Sequence, residues 1–216
     1  MRIEFWVDYL CPITYLTHKN LIEAIDELKL ENFELLYRSF EMIEYNKKDY
    51  SIMDVWMLHH NQSEEEIINL LERYYPDYIK LKYVEVNKAH QLAHLAKRLD
   101  VASQTNTLLL KAFFEENLDI SDNEVLTNIG EKVGIPKDLI LETLNENTFR
   151  EQISLNRENA FIRNIDRIPH IRINGNHHFN GLLSKVKIKE ILNETKASKT
   201  NFTYCSAGVC QQKKAF

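Results

Sequence analysis

The sequence predicts an α/β fold in which one mixed sheet is interrupted by a large, all-helical insertion. Near both ends of the chain, apolar residues alternate with other residues, a pattern typical of strands. Over residues 45–164 the apolar residues recur with the spacing of helices instead. Strands before and after the insertion can share one sheet that carries helices on its faces. At 216 residues, of which 44% are hydrophobic, the chain is long enough to bury a core.

The start of the chain is predicted to form a strand, a helix and a second strand. Pro12 suits the first helical turn, because its missing N–H needs no partner there. Cys11 therefore stands at the junction between the first strand and the helix. The apolar positions are Ile3, Phe5 and Val7 in the first strand, Leu21, Ile22, Ile25 and Leu28 in the helix, and Phe33, Leu35 and Tyr37 in the second strand.

Residues 45–164 contain several signals for helix ends. Ser63 followed by Glu66, and Ser121 followed by Glu124, have the spacing of a capping box. Asn87 is a third candidate cap. Further signals are Gly134 as a helix stop, Pro136 as a helix start, and the apolar residues Phe149, Ile153 and Phe161 of one more helix.

The strand pattern returns at residues 168–181, "IPHIRINGNHHFNG". Asn174-Gly175 is a signal for a two-residue hairpin turn, and Ser184 is a candidate cap for a following helix. Residues 1–44 and 165–194 are thus expected to form the sheet domain, with 45–164 as the helical insertion domain. Residues 195–216 form a polar tail that carries Cys205 and Cys210 in a Cys-x4-Cys pattern.

Composition and charge exclude several classes of protein. The net charge of −5 gives no reason to expect nucleic-acid binding. No apolar run reaches the length of about 18 residues that a membrane span needs, and the start of the chain does not have the pattern of a signal peptide. We therefore expect a cytoplasmic protein. Stable disulfides are unusual in that reducing compartment, so free, catalytic or redox-active cysteines are expected.

Cys11 has two interpretations from the residues alone. At a helix N-terminus, a thiolate is stabilised by the helix dipole and by unpaired N–H groups, and its pKa falls to ~3.5–7.5. Asp8 opposes this effect, since a nearby carboxylate raises a thiol pKa. Cys11 can equally be a buried cysteine that packs as a small hydrophobic residue. Thr14 can hydrogen-bond the thiolate through its hydroxyl, or be an ordinary helix residue.

Several segments together resemble the DsbA-like family, and its FrnE-like branch in particular. They are "IEFWVDYLCP", "YRSFEM" at 37–42, "AHQLAHLAKRLD" at 89–100, "LLKAFFEENLDISDNEVL" at 109–126 and "IPHIRINGNHHFNG". The similarity covers about residues 2–194, and the Cys-x4-Cys pattern of the tail also occurs in that branch. The resemblance implies a thioredoxin-like mixed sheet with the helical insertion.

The resemblance also implies a site. Cys11 and Pro12 match the start of the family's Cys-Pro-x-Cys motif, and Cys11 is then the nucleophile. Thr14 departs from the motif, because the second cysteine of a dithiol pair belongs there. Ile168-Pro169 resembles the family's cis-proline loop, which faces the cysteine and pairs its backbone with an extended substrate.

The leading hypothesis is a thiol–disulfide oxidoreductase acting on a protein or small molecule that carries a disulfide or thiol. Cys205 and Cys210 are an auxiliary redox or disulfide pair in this hypothesis, or half of a metal site. No cofactor is expected beyond a low-molecular-weight thiol as cosubstrate, and no oligomeric state follows from the sequence. The related 2-hydroxychromene-2-carboxylate isomerases and kappa-class glutathione transferases suggest a thiol-dependent isomerase or transferase as an alternative. A third hypothesis is a non-catalytic, peptide-binding module.

Histidines give weaker signals for a metal. His90 and His94 have i, i+4 spacing on a predicted helix, but the metalloprotease pattern is missing, so packed or surface histidines are expected. His177 and His178 can join the tail cysteines only if the fold brings them together. No metal is therefore expected.

Overall fold

The computed structural model describes residues 1–43, 51–74, 81–198, 203–206 and 209–212. Its main sheet has four strands in the order β2-β1-β3-β4. Strand β1 pairs in parallel with β2 and antiparallel with β3, and β3 pairs antiparallel with β4. The strands are β1 Arg2–Val7, β2 Glu34–Ser39, β3 His170–Ile173 and β4 His177–Asn180.

Helices fill the long interval between β2 and β3, and no strand occurs in the described part of that interval. The first helix lies between β1 and β2, seven follow in the interval, and the last comes after β4. They are α1 Pro12–Glu27, α2 Ile52–His60, α3 Glu64–Tyr74, α4 Asn87–Arg98, α5 Ala102–Phe114, α6 Asn123–Lys132, α7 Lys137–Glu146, α8 Arg150–Ile162 and α9 Lys185–Ser198. A short hairpin, β5 Thr203–Ser206 and β6 Val209–Gln212, lies in the tail.

Strand β1 is central in the sheet and buried on both faces. Its residues Ile3, Phe5 and Val7 belong to the main apolar cluster, which continues into the helical insertion. Trp6 points the other way, into a smaller cluster that includes Cys11. This second cluster is completed by Ile13, Phe40, Ala160, Ile165 and Ile168. Apolar packing therefore surrounds Cys11 from four directions: β1, the end of β2, α8 and the loop before β3.

A charged side chain also joins three strands of the sheet. Glu4 on β1 is 3% exposed and accepts hydrogen bonds from Arg38 on β2 and Arg172 on β3. The Arg38 Nη2 atom lies 2.7 Å from one carboxylate oxygen of Glu4. Arg172 donates to the other oxygen through both Nε and Nη2. Because β1 leads to Cys11 and β3 starts after Pro169, this ion triad holds together the strands that support both segments.

The predicted helix caps are right in part. Ser63 and Glu66 form the predicted capping box, with each side chain bonded to the other residue's backbone N–H. The Ser121 prediction is wrong, because Asp122 follows it directly and its carboxylate caps α6 instead. Ser184 accepts a hydrogen bond from the Lys187 N–H at the start of α9, as predicted.

Two further local predictions are wrong. Asn87 does not cap α4 but is its first residue, and its amide donates to Glu41. The hairpin between β3 and β4 has three loop residues rather than two, since Ile173 pairs with His177. Its first loop residues, Asn174 and Gly175, both have positive φ, which agrees with the turn signal.

Among the described residues, no helix is both long enough and apolar enough to cross a lipid bilayer. The strands of the main sheet lie within 1–44 and 165–194 and α2–α8 lie within 45–164, whereas α9 continues to Ser198. The boundaries at 44/45, 164/165 and 194/195 stay a prediction, and the first lies outside the described residues.

Candidate functional site

Cys11 is the N-cap residue of α1, at the point where the chain leaves β1. Its φ of −87° and ψ of 112° keep it extended, and its Sγ atom accepts a hydrogen bond from the Thr14 N–H at 3.2 Å. This contact is the one that a helix N-terminus offers to an N-cap side chain. Cys11 is fully buried in the apolar cluster that contains Trp6.

Asp8 lies between the end of β1 and Cys11 in the chain and is also fully buried. Its two carboxylate oxygens accept hydrogen bonds from the Leu10 N–H at 2.8 Å and the Met42 N–H at 2.6 Å. Burial raises the pKa of Asp8 to about 7, although these two hydrogen bonds oppose the rise. Asp8 thus shapes the loop that carries Cys11, and its charge disfavours a thiolate there.

The loop before β3 lies against the Cys11 sulfur. The Ile168–Pro169 peptide bond is cis, and the Ile168 carbonyl oxygen lies 4.0 Å from Cys11 Sγ. Ile168 is buried in the same cluster as Cys11. The structure therefore brings together four of the predicted site residues, Cys11, Pro12, Ile168 and Pro169.

Two histidines at the end of α2 complete the surroundings of the sulfur. His60 Nε2 lies 3.5 Å from Cys11 Sγ, which is within the distance of an S–H···N hydrogen bond. His59 Nε2 accepts a hydrogen bond from the Ile168 N–H at 3.2 Å. The Trp56 indole N–H donates to the Leu10 carbonyl at 2.5 Å and fixes this helix to the Cys11 loop.

Burial controls the electrostatics of the site. It raises the pKa of the Cys11 thiol to about 12, against the lowering effect of the Thr14 contacts. It lowers the pKa of His60 to about 4 and that of His59 to about 3. The prediction of a lowered thiol pKa is therefore wrong for this closed site, because desolvation outweighs the helix N-terminus. The resting pair is a neutral thiol beside a neutral imidazole.

A profile of the DSBA-like thioredoxin domain matches residues 2–193 of the chain. The protein belongs to the DsbA family. This match covers both halves of the sheet and the whole helical insertion, so it includes the Cys11 junction and the Ile168–Pro169 loop.

Solved structures similar to this DsbA-family chain agree on its fold. A "probable DsbA oxidoreductase" from Streptomyces coelicolor has a TM-score of 0.78 and 16% identity, covering 98% of each chain. The cytosolic disulfide reductase DsbM from Pseudomonas aeruginosa, solved with GSH, has a TM-score of 0.66 and 14% identity over 91% of this chain and all of DsbM. A 2-hydroxychromene-2-carboxylate isomerase has a TM-score of 0.64 and 14% identity over 92% of this chain and 95% of the isomerase. The predicted thioredoxin-like fold is confirmed.

Thr14 occupies the second-cysteine position of the DsbA-family motif and is fully buried. The hydrogen bond that its hydroxyl was predicted to make to the sulfur is not formed: within the described part of the chain, Oγ1 has no hydrogen-bond partner. The donor to the sulfur is the Thr14 backbone N–H instead. The Thr14 side chain nevertheless lowers the pKa of the Cys11 thiol.

The remaining predicted positions in this DsbA-family structure include the tail cysteines and two histidines of α4. The register of the tail hairpin pairs Cys205 with Cys210. His90 is fully buried on α4, with both ring nitrogens unpartnered among the described residues. His94 on the same helix lies 2.8 Å from the Ser39 hydroxyl. The described residues contain no group of three or more side chains arranged to hold a metal ion.

Sequence reasoning missed α2 and with it His59 and His60. A signal for this helix is present, since Ser51 and Asp54 form a capping box directly before an apolar run. The contact between His60 and Cys11 has no such signal, because it joins residues 49 positions apart.

An aromatic surface adjoins the histidines. The Phe40 ring lies 5.7 Å from the His59 ring and 5.6 Å from the Phe161 ring, measured between centroids. Phe161 is 44% exposed and its neighbour Ile162 is 79% exposed. Apolar groups of a substrate can contact this surface next to the site.

Proposed function

We propose that the protein is a cytoplasmic thiol–disulfide oxidoreductase in which Cys11, within the Cys-Pro-Ile-Thr motif, is the attacking thiol. The observation that carries the proposal is the position of the Cys11 sulfur. It lies at the N-terminus of α1, 3.2 Å from the Thr14 N–H, and faces the Ile168–Pro169 loop. Membership of the DsbA family supports the same class of reaction.

In this reaction the sulfur of Cys11 attacks one sulfur of a substrate disulfide. A mixed disulfide forms, and the other substrate sulfur leaves as a thiol. With threonine at position 14, no thiol within the motif can resolve that intermediate. A low-molecular-weight thiol or a substrate thiol then attacks it and releases Cys11.

The tail cysteines are proposed as an auxiliary redox pair. In an antiparallel pair, opposite α-carbons are about 4.5–5.5 Å apart, which lies within the range of disulfides. The register that pairs Cys205 with Cys210 therefore supports a disulfide between them.

A second candidate function is an isomerase or transferase that uses a bound low-molecular-weight thiol. It is favoured by one observation, the hydrogen bond from the Ile168 N–H to His59. An extended peptide needs that N–H to add as a strand, whereas a small thiol does not. The structural likeness to DsbM with GSH and to the isomerase agrees with a site for small molecules.

The test compares reduction of insulin with reaction with glutathione disulfide, using the wild type, Cys11→Ser and the double variant Cys205→Ser/Cys210→Ser. Mass spectrometry identifies trapped adducts. We expect the wild type and the double variant to form a mixed disulfide at Cys11, and Cys11→Ser to form none. A folded wild type without adduct or activity would overturn the oxidoreductase and leave the isomerase or transferase and the peptide-binding module.

His59→Ala separates the two substrate classes, because it frees the Ile168 N–H. An oxidoreductase for polypeptides should gain insulin reduction relative to reaction with glutathione disulfide. Turnover of an added low-molecular-weight thiol as cosubstrate, without net oxidation, would favour the isomerase or transferase.

A further inference from the structure

We infer that His60 is the general base and general acid of the Cys11 reaction. This inference rests on the proposed function of Cys11 as the attacking thiol. It assigns a catalytic role to a residue of the helical insertion, outside the Cys-Pro-Ile-Thr motif and outside the loop at Pro169.

Geometry gives the first reason. His60 Nε2 lies 3.5 Å from Cys11 Sγ, so the imidazole touches the reacting atom. The Trp56 indole on the same helix donates to the Leu10 carbonyl and so holds α2 against the Cys11 loop. The helix ends directly after His60, where Asn61 has a left-handed backbone conformation. A base within hydrogen-bond reach of the proton that it removes satisfies the geometric condition for general catalysis.

The state of the thiol gives the second reason. Burial raises the pKa of Cys11 to about 12, so the sulfur carries its proton at neutral pH. Since the thiolate is the nucleophile in disulfide exchange, a buried thiol in this state needs a proton acceptor at the moment of attack. Burial lowers the pKa of His60 to about 4, so its imidazole is neutral and can accept the proton.

The surrounding charges contribute to the protonation states of the two partners before the reaction. His59 is next to His60 on α2, Arg167 in the loop before β3 lowers the pKa of His60, and Arg157 on α8 lowers the pKa of His59. On the other side of the sulfur, Asp8 raises the pKa of the thiol. Burial, assisted by Arg167, keeps the imidazole unprotonated before the reaction, and burial, assisted by Asp8, keeps the thiol protonated.

An unpartnered hydroxyl gives the third reason. Thr14 Oγ1 is buried without a hydrogen-bond partner among the described residues, which is costly for a polar group. A rotation of this hydroxyl can bring its proton to the Cys11 sulfur once the sulfur becomes negative. The site thus holds a donor that can stabilise the sulfur after the thiol has lost its proton.

The steps balance as follows. The Cys11 thiol proton passes to His60 Nε2 while Sγ forms a bond to one sulfur of the substrate disulfide. The substrate S–S bond breaks, and the leaving sulfur takes the proton from the His60 imidazolium. A second, low-molecular-weight thiol later gives its proton to His60 and attacks the mixed disulfide, and Cys11 leaves as a thiolate that recovers the proton. This cycle leaves the substrate sulfur joined to the external thiol. A second external thiol then attacks that disulfide, releases the remaining substrate thiol and becomes joined to the first, so the substrate disulfide is reduced and two external thiols are oxidised.

The test is the pH dependence of Cys11 reactivity between pH 5 and 8, measured in the Cys205→Ser/Cys210→Ser background with iodoacetamide and with glutathione disulfide. The wild-type rate should be nearly independent of pH, because neither partner titrates in that range. His60→Gln should react more slowly at pH 7 by about 10²-fold, the lower end of what a general base contributes. Its remaining rate should follow the thiolate fraction: about tenfold per pH unit below pH 6, and less steeply around pH 7, where Asp8 ionises and raises the thiol pKa.

A control and a rescue keep the result specific. His177→Gln removes an exposed histidine of β4 and should match the wild type. Free imidazole should restore part of the rate to His60→Ala but not alter the wild type. If a variant does not fold, the wild-type profile still decides, since a slope of tenfold per pH unit excludes a neutral base.

Each other outcome has one meaning. If α2 must leave before a reagent can enter, His60→Gln will react as fast as the wild type or faster, and the inference is wrong. Adducts at Cys11 in that case leave the proposed function intact. Alkylation that depends on His60, without any mixed disulfide, supports the base and overturns the proposed oxidoreductase.

Discussion

Glu4 offers a quantitative test of how the sheet holds the two halves of the site together. Its carboxylate, with 4% of the side chain exposed, accepts four hydrogen bonds from Arg38 and Arg172, whose side chains are 21% and 14% exposed. Glu4→Gln keeps the size of the side chain but removes its charge. Two guanidinium groups then stay largely buried without a counter-ion.

The expected loss of stability follows from that burial. Removing one partner of a buried ion pair costs about 3–5 kcal/mol, because the remaining charge is uncompensated. For a chain of this length, each kcal/mol shifts the melting temperature by roughly 2–4 °C, so Glu4→Gln should melt roughly 6–20 °C lower. Glu34→Gln is the matched control, since its pair with Arg2 also joins β1 to β2, but the two side chains are 60% and 54% exposed. An exposed pair contributes about 0–1 kcal/mol, so the control should change little.

The assay is urea unfolding followed by circular dichroism at pH 7 and at acid pH. Burial raises the pKa of Glu4, but the hydrogen bonds and charges of Arg38 and Arg172 outweigh it, so the net pKa is lowered. A lowered pKa means that the carboxylate stabilises the fold above the pKa of the unfolded chain and loses this effect as the pH falls. The difference between wild type and Glu4→Gln should therefore shrink below about pH 4. A loss under 1 kcal/mol at pH 7, equal to that of Glu34→Gln, would refute the reasoning.

Three further predictions concern the site and the tail. Thr14→Cys should shorten the lifetime of a mixed disulfide at Cys11, because it supplies a resolving thiol one turn along α1; adduct decay followed by mass spectrometry checks this, and an unchanged lifetime contradicts it. Asp8→Asn should flatten the fall in stability as pH rises from about 4 to 7, since burial raises the Asp8 pKa to about 7 and the folded state favours its protonated form; unfolding titrations that remain parallel to wild type would disagree. Mild oxidation should join Cys205 to Cys210, and peptide mapping that finds both fully alkylated would exclude the pair.

The sheet and most of its helices could be predicted because local patterns determine them. Ile3, Phe5 and Val7 alternate on one face of β1 and enter the main cluster together. The capping box at Ser63 works with residues three apart, and such short-range chemistry can be read directly from a sequence. Asp122 shows the limit of this approach, since two adjacent side chains can both cap and only the backbone path selects one.

The electrostatics of the site could not be predicted in the same way. The position of Cys11 at a helix N-terminus is local, and the sequence predicts it correctly. Its burial is not local, because it depends on Phe40, Ala160 and Ile168, which lie far from it in the chain. Desolvation by such neighbours outweighs the helix terminus, so the direction of the thiol pKa becomes visible only in the fold.

The contact between α2 and Cys11 separates two parts of the chemistry that a dithiol motif combines. In such a motif, the second cysteine lies one turn along the same helix and can release the first from a mixed disulfide. Here Thr14 fills that place, while the imidazole nearest to the sulfur comes from the helical insertion. Position 14 therefore governs how the intermediate is resolved, and position 60 governs how the proton moves. Substitutions at the two positions should then act on different steps: Thr14→Cys on adduct decay, and His60→Gln on adduct formation.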